Sequence, residues 1–321
     1  EATNACATFK EELNFVYVTP STESGYWGSY VLIGIENAVK DIEAKYGVKV
    51  NLEVQGPTAE NMVDQFMSTL EAVIAQKPDG ILLGQLNPDA VAPLVKDATA
   101  QGIRVNLISI GVPLEPQEYG ALFYCDQPQQ GEFAAQAYMD AVKAKGLAED
   151  GTTAMHMSVV VPILEEKLNN FRTTLQGLAP NMTILDTQYN ENDVNKGITL
   201  MQDQLATYGD DLVGFFAGNN VTGNAVARVI EESGKSDQLV GVAIDSDPAE
   251  IDALKNGFLD ALIVQTPYEQ AYQATMDIAM FLLECKDPNT QDVNIPAVTI
   301  TKANMDTPEM QALLDPTILK K

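Results

Sequence analysis

Short β-branched runs alternate with helix-periodic segments along almost the whole chain, and this alternation constrains the fold more than any other feature. A strand, a crossover helix and a second strand close as a right-handed βαβ unit, so the strands lie parallel and are covered on both faces. The strand-forming runs are residues 13–19, 48–55, 80–83, 105–109 and 121–124, followed by a second series at 153–158, 183–188, 212–217, 240–244 and 261–265. Between them, helical periodicity spans 26–46, 59–76, 89–101 and 127–145, then 163–178, 194–208, 221–233, 248–256 and 268–283. Strongly twisted open sheets of ten strands are uncommon, so two series predict an α/β chain of two doubly wound, Rossmann-like parallel-sheet lobes. At 321 residues the chain also exceeds the size at which one core keeps growing. The break between the series falls near Cys125 and Asp126, where no Pro/Gly/Ser linker intervenes and a helix starts at once. A last strand is expected at 297–301, in a tail too short to be a domain.

Charge narrows the function. Nineteen Lys plus Arg stand against forty-five Asp plus Glu, a formal net charge of -26, which repels phosphate backbones and anionic headgroups. Nucleic acid and membrane surfaces are therefore not expected partners. No apolar run reaches the length of a membrane span. Arg104, Arg172 and Arg228 are widely separated and make no basic patch. Cys6, Cys125 and Cys285 are too few and too spread for a disulfide scaffold or a zinc site; they read as free buried thiols, with a Cys6–Cys285 bridge as the alternative. His156, the single histidine, lies in an apolar run and reads as a core-strand residue without a partner for metal or triad chemistry. The polar opening, from Glu1, is not an export signal, so the chain is expected either to be cytoplasmic or to have lost one.

Catalytic and cofactor motifs fail where they should appear. The turn after the first strand carries one glycine, Gly25, in place of a Gly-x-Gly-x-x-Gly cradle. Gly234-Lys235-Ser236 resembles the end of a P-loop, but Val229 stands where the first glycine is required, and Gly234 reads as a helix C-cap. No Gly-x-Ser-x-Gly, His-Glu-x-x-His or Cys-x-x-Cys occurs. No cofactor, metal or catalytic residue is expected.

In open α/β sheets ligands bind beyond the carboxyl ends of the strands. Those ends carry Ser24, Tyr26 and Trp27, then Ser109, Asn219, Asp245 and Gln265: amide, hydroxyl and carboxylate groups beside an aromatic pair. Aromatic faces pack on C–H faces while Asn, Asp and Gln reach hydroxyls, which suits a small polyol or sugar.

At these residues the chain resembles the type 1 periplasmic, or extracytoplasmic, substrate-binding proteins of the ribose and galactose group. The resemblance runs from Leu13 to Thr301 and is carried by Tyr26-Trp27 with Val31, Gly34 and Ala38, by Pro78-Asp79-Gly80-Ile81-Leu82-Leu83 with Asn87-Pro88-Asp89, and by Gly102-Ile103-Arg104-Val105. It continues in Phe216-Ala217-Gly218-Asn219-Asn220, Val240-Gly241-Val242 with Asp245, and Ile263-Val264-Gln265-Thr266-Pro267. It implies a type 1 periplasmic binding protein fold with three hinge crossings, near Cys125-Asp126, Gln265-Thr266 and Val293-Asn294, and a ligand in an interlobe cleft that closes by hinge motion. The lobes would be residues 1–125 plus 266–293 and 126–265 plus 294–321. By the same resemblance Tyr26 and Trp27 are stacking aromatics, Asn219 and Asp245 bind hydroxyls, Gln265 is the hinge-strand glutamine and Ser24 lies near a polar contact.

The chain departs from relatives that bind ribose. Ser109-Ile110 stands where they carry Asp-Arg, Glu165 where they carry an arginine, and Asn192 where they carry an aromatic. Ser109, Glu165 and Asn192 thus join the expected ligand-binding set, ribose is not carried over, and a neutral or cationic ligand is expected because no arginine falls at a strand end. The implied function is an extracytoplasmic solute-binding protein, a non-enzyme and a monomer, either free in the periplasm or a cell-surface lipoprotein. It would deliver a sugar or polyol to the membrane permease of an ABC importer. The alternatives are a sensor that presents its ligand to a histidine kinase, and a carbohydrate-active enzyme using Glu165 and Asp245.

Overall fold

The computed structural model describes residues 10–285 and 292–321. The chain forms two compact units, which among the described residues take 10–124, 266–285, 292–295 and 316–321 in the first and 125–265 with 296–315 in the second. It changes unit four times, where three crossings were expected: residues 316–321, placed in the second lobe by the sequence reading, belong to the first. The side chain of Asn37, fully buried, takes up this returning segment, donating to the Leu319 carbonyl (2.7 Å) and accepting from the Lys321 amide (3.1 Å). Nothing in sequence pairs an asparagine with a segment so far along the chain.

The first unit is a parallel sheet in the order β2-β1-β3-β4-β5-β12, made of β1 (Glu12–Val18), β2 (Lys49–Gln55), β3 (Gly80–Gly84), β4 (Arg104–Ile108), β5 (Ala121–Tyr124) and β12 (Asp292–Asn294). Period-two alternation on β1 sends Leu13, Phe15 and Tyr17 to one face and Val16 and Val18 to the other. The first face is covered by α1 (Leu32–Tyr46) and α9 (Pro267–Glu284), the second by α2 (Val63–Gln76) and α3 (Pro88–Ala100). The stripe Ile35, Ala38, Val39 and Ile42 buries α1, which stops at the left-handed Gly47 (φ 67°). The helix expected from residue 26 begins instead as a π-helical turn, Gly25–Val31.

The second unit repeats the plan in the order β7-β6-β9-β10-β11-β13, with β6 (Thr152–Met157), β7 (Thr183–Ile184), β8 (Gln188–Tyr189), β9 (Leu212–Ala217), β10 (Val240–Ile244), β11 (Ala261–Val264) and β13 (Val298–Thr301). Only β13 runs antiparallel, on β11, and β8 also pairs with β6. The helices are α4 (Gln127–Ala144), α5 (Pro162–Leu178), α6 (Val194–Tyr208), α7 (Asn220–Ser233), α8 (Pro248–Asn256) and α10 (Pro308–Leu314). The expected strand 183–188 is split into β7 and β8. Arg172 of α5 donates to the carbonyls of Ile184 (3.0 Å) and Leu185 (2.9 Å), where the chain leaves the ladder.

Cys125 is a free, buried thiol, and burial pushes it up to about 12. Cys285 is disulfide-bonded, which corrects the reading of free thiols, while Cys6 lies outside the described residues. No described helix is long and apolar enough to cross a membrane.

Candidate functional site

In the first unit the π-helical turn sets the site. Ser24 caps it, its hydroxyl accepting from the Trp27 amide at 3.4 Å. Gly28 lies so close to the preceding loop that a Cβ there would stand 2.1 Å from the Thr22 carbonyl oxygen. The turn therefore needs glycine for close approach. It places Tyr26 half-buried and sinks Trp27 into the core at 5% exposure, with ring centroids 4.8 Å apart and edge-on at 72°. Trp27 packs over Gly84 at the end of β3, where a Cβ would come within 2.7 Å of its ring. Of the two expected stacking aromatics, Tyr26 is the more exposed, and Trp27 packs into the core of the first unit.

The Tyr26 hydroxyl meets the Ser109 hydroxyl at 2.6 Å, and Ser109 donates onward to Gln270 Oε1 at 2.8 Å. Ser109 follows β4 in the left-handed region (φ 68°), its amide bonded to the Phe123 carbonyl of β5. A serine gains little intrinsically from that conformation, so the surrounding pairings hold it there.

In the second unit Asp245 takes the equivalent place after β10. Its φ is 83°, and its amide bonds the Ile263 carbonyl of the next strand, β11. One carboxylate oxygen accepts from Gln265 Nε2, and the other from the Asn220 amide at 3.3 Å. Burial raises the Asp245 carboxyl, while the Lys167 charge and these two hydrogen bonds pull it back. Asn219 caps α7, its Oδ1 accepting from the amide and hydroxyl of Thr222 and its Nδ2 donating to Ser158 at 2.6 Å. Gln265 is half-buried and also accepts from Gln130 Nε2 at 3.3 Å.

Glu165, in the first turn of α5, is engaged by the Tyr189 hydroxyl at 2.9 and 3.0 Å. This pairing pushes Tyr189 up to about 12, after the larger effect of its burial. Asn192 is exposed in a left-handed turn (φ 62°) before Asp193 caps α6. The structure thus joins Ser24, Tyr26, Trp27 and Ser109 in the first unit, and Asn219, Asp245 and Gln265 in the second; it ties neither Glu165 nor Asn192 to Asp245 by a hydrogen bond.

Two residues escaped the sequence reading. Lys167 of α5 is 2% exposed, its ammonium 3.4 Å from the Gly218 carbonyl oxygen at the end of β9. The sequence reading placed no arginine at the strand ends and did not weigh lysines, and Lys167 brings a cation to the end of β9. Asn190, fully buried after β8, has no hydrogen-bond partner for either side-chain polar atom among the described residues. A lysine one turn into an amphipathic helix gives no sequence signal of burial. Among the described residues no cluster of His, Cys, Asp and Glu could hold a metal ion.

Two doubly wound units whose carboxyl strand ends carry amides, hydroxyls and a carboxylate define an α/β binding protein of the periplasmic type. The chain belongs to the periplasmic binding protein domain family, whose model matches residues 15–284. A carbohydrate-transporter solute-binding protein of Agrobacterium radiobacter, solved with D-arabinose, is 26% identical with a TM-score of 0.83, covering 95% of this chain and 99% of that one. A xylose/arabinose-binding protein of Sulfolobus acidocaldarius is 24% identical over 231 residues, 68% of this chain, and the match spans 55% of that protein's length. A xylitol-binding protein of Mycolicibacterium smegmatis is 23% identical over 81% of this chain and 72% of that protein.

Proposed function

We propose that the chain is an extracytoplasmic solute-binding protein that captures a neutral sugar or polyol for an ABC importer. Tyr26 and Ser109 of the first unit and Asn219, Asp245 and Gln265 of the second are its ligand-binding groups. The observation that carries this reading is the Asp245 carboxylate, fixed by Gln265 and the Asn220 amide beside the Asn219 amide at the ends of adjacent strands. Carboxylates and amides held this way accept from and donate to vicinal hydroxyls. The relatives whose names record D-arabinose, xylose and xylitol support pentoses and pentitols as the ligand class.

Titration calorimetry with D-arabinose, D-xylose, D-tagatose and xylitol tests the assignment. One of them is expected to bind with one-to-one stoichiometry and to raise the melting temperature, and to be recovered unchanged after prolonged incubation. Silence toward all sugars and polyols would sink the reading, and continuing turnover would make the protein an enzyme.

A further inference from the structure

We propose that Lys167 is the counter-charge that keeps Asp245 ionised at neutral pH, and so is a positioning residue for the carboxylate that accepts ligand hydroxyls. The inference rests on the function proposed above. Its geometric basis is the turn between β9 and α7, which both side chains reach. The Lys167 ammonium lies on the Gly218 carbonyl, and Asp245 accepts from the amide of Asn220, two residues on. That long contact is the ammonium's one hydrogen bond among the described residues, and the two charges form no direct ion pair there. A buried ammonium with so little local compensation is expensive unless an opposite charge is close.

Asp247, which caps α8, is the charge that works against the ionisation of Asp245. Glu250, one turn into α8, and the Cys125 thiol, ahead of α4, stand nearby, both with their protons held by burial. Lys167 is the positive charge set against Asp247. The dependence is mutual: burial lowers the lysine, and Asp245 raises it again.

Asp245 then carries two protein hydrogen bonds and a charge that is balanced at a distance rather than quenched by contact. Its remaining lone pairs stay available to a hydroxyl donor. A protonated Asp245 would instead have to place its own proton, and would lose acceptor capacity toward a polyol.

The experiment combines carboxyl-carbon NMR of Asp245 in the ligand-free protein with calorimetry against D-arabinose and xylitol from pH 5 to 9. In Lys167→Met the Asp245 midpoint should rise above pH 7. Affinity at pH 7 should then fall at least twofold and recover toward pH 9, and Lys167→Arg should restore both. Lys167→Gln is the second variant should the methionine variant fail to fold, with melting curves run on each. In Asp245→Asn the affinity should no longer respond to Lys167→Gln. An unchanged Asp245 midpoint in a folded Lys167 variant overturns the inference whatever binds. A shifted midpoint in a protein whose wild type binds none of the sugars or polyols overturns the proposed function and the binding half of this inference, leaving the electrostatic half standing.

Discussion

Trp27 and Tyr26 are neighbours in sequence with opposite environments, and their substitutions should separate accordingly. Trp27→Ala removes a large side chain from a site with 5% exposure, so urea unfolding should show a loss of about 3–5 kcal/mol, the range for burying and then deleting such a group. A loss under about 1 kcal/mol together with abolished binding would return Trp27 to the role of ligand platform. Tyr26→Phe removes only the hydroxyl that meets Ser109, so stability should change by about 1 kcal/mol or less, while affinity for the proposed sugar or polyol ligand should fall. Sequence alone could place both residues at a strand end. It could not say which ring faces outward, because that depends on a π-helical turn whose extra residue per turn rotates the pair, and helical periodicity does not reveal such a turn. Lys167 was illegible for a related reason: in a segment with ordinary amphipathic spacing, a lysine reads as solvated.

At the scale of elements, the strands were legible because buried parallel strands are short β-branched runs bounded by turn residues, as in β9 and β10, whose limits match the sequence reading residue for residue. Helix ends with a chemical signature were legible too: Asp247 caps α8 with Pro248 at its first position, and Gly234 ends α7 at φ 63°. What failed lacked local signal. β12 has three residues, two of them exposed, and α10 spans two turns in a tail that reads as irregular. The π-helical turn makes its own prediction. A Cβ at Gly28 would meet the Thr22 backbone at 2.1 Å, so Gly28→Ala must shift the turn or the loop before it. We expect a destabilisation of about 1–3 kcal/mol, the usual cost of overpacking, with weaker binding of the proposed sugar or polyol ligand because Tyr26 moves with the turn. A variant with wild-type melting and affinity would show that the turn does not position the site.

For the molecule as a whole, two fully buried titratable groups set opposite slopes of stability against pH. His156 lies in β6 with its Nε2 on Gln204 Oε1 at 2.7 Å, and burial lowers it to about 4. The unfolded chain takes up its proton near pH 6.5, while the folded chain refuses it until about 4, so acidification through that interval favours unfolding. Between pH 7 and 5 this one residue should cost about 2 kcal/mol, which His156→Gln should abolish. Glu250 behaves oppositely. One of its carboxyl oxygens accepts from the Asp247 amide at 3.1 Å, the other has no partner among the described residues, and burial followed by the charges of Asp247 and Asp245 raises it well above the usual range. Here the folded state holds a proton that the unfolded chain releases near pH 4.5, so stability is full below that pH and declines as pH rises toward the folded value. Above 4.5 the Glu250 slope opposes that of His156. The stability gap between Glu250→Gln and the wild type should therefore widen as pH rises from 4.5 toward the raised folded value, at a slope of up to about 1.4 kcal/mol per pH unit, that of one proton. Urea unfolding at fixed ionic strength measures it, a necessary control in a chain of net charge -26, whose general self-repulsion also grows with pH but is common to both proteins. Parallel curves for the two proteins would mean that Glu250 is ionised in the folded state and that a charge, water or ion reaches its unpartnered oxygen.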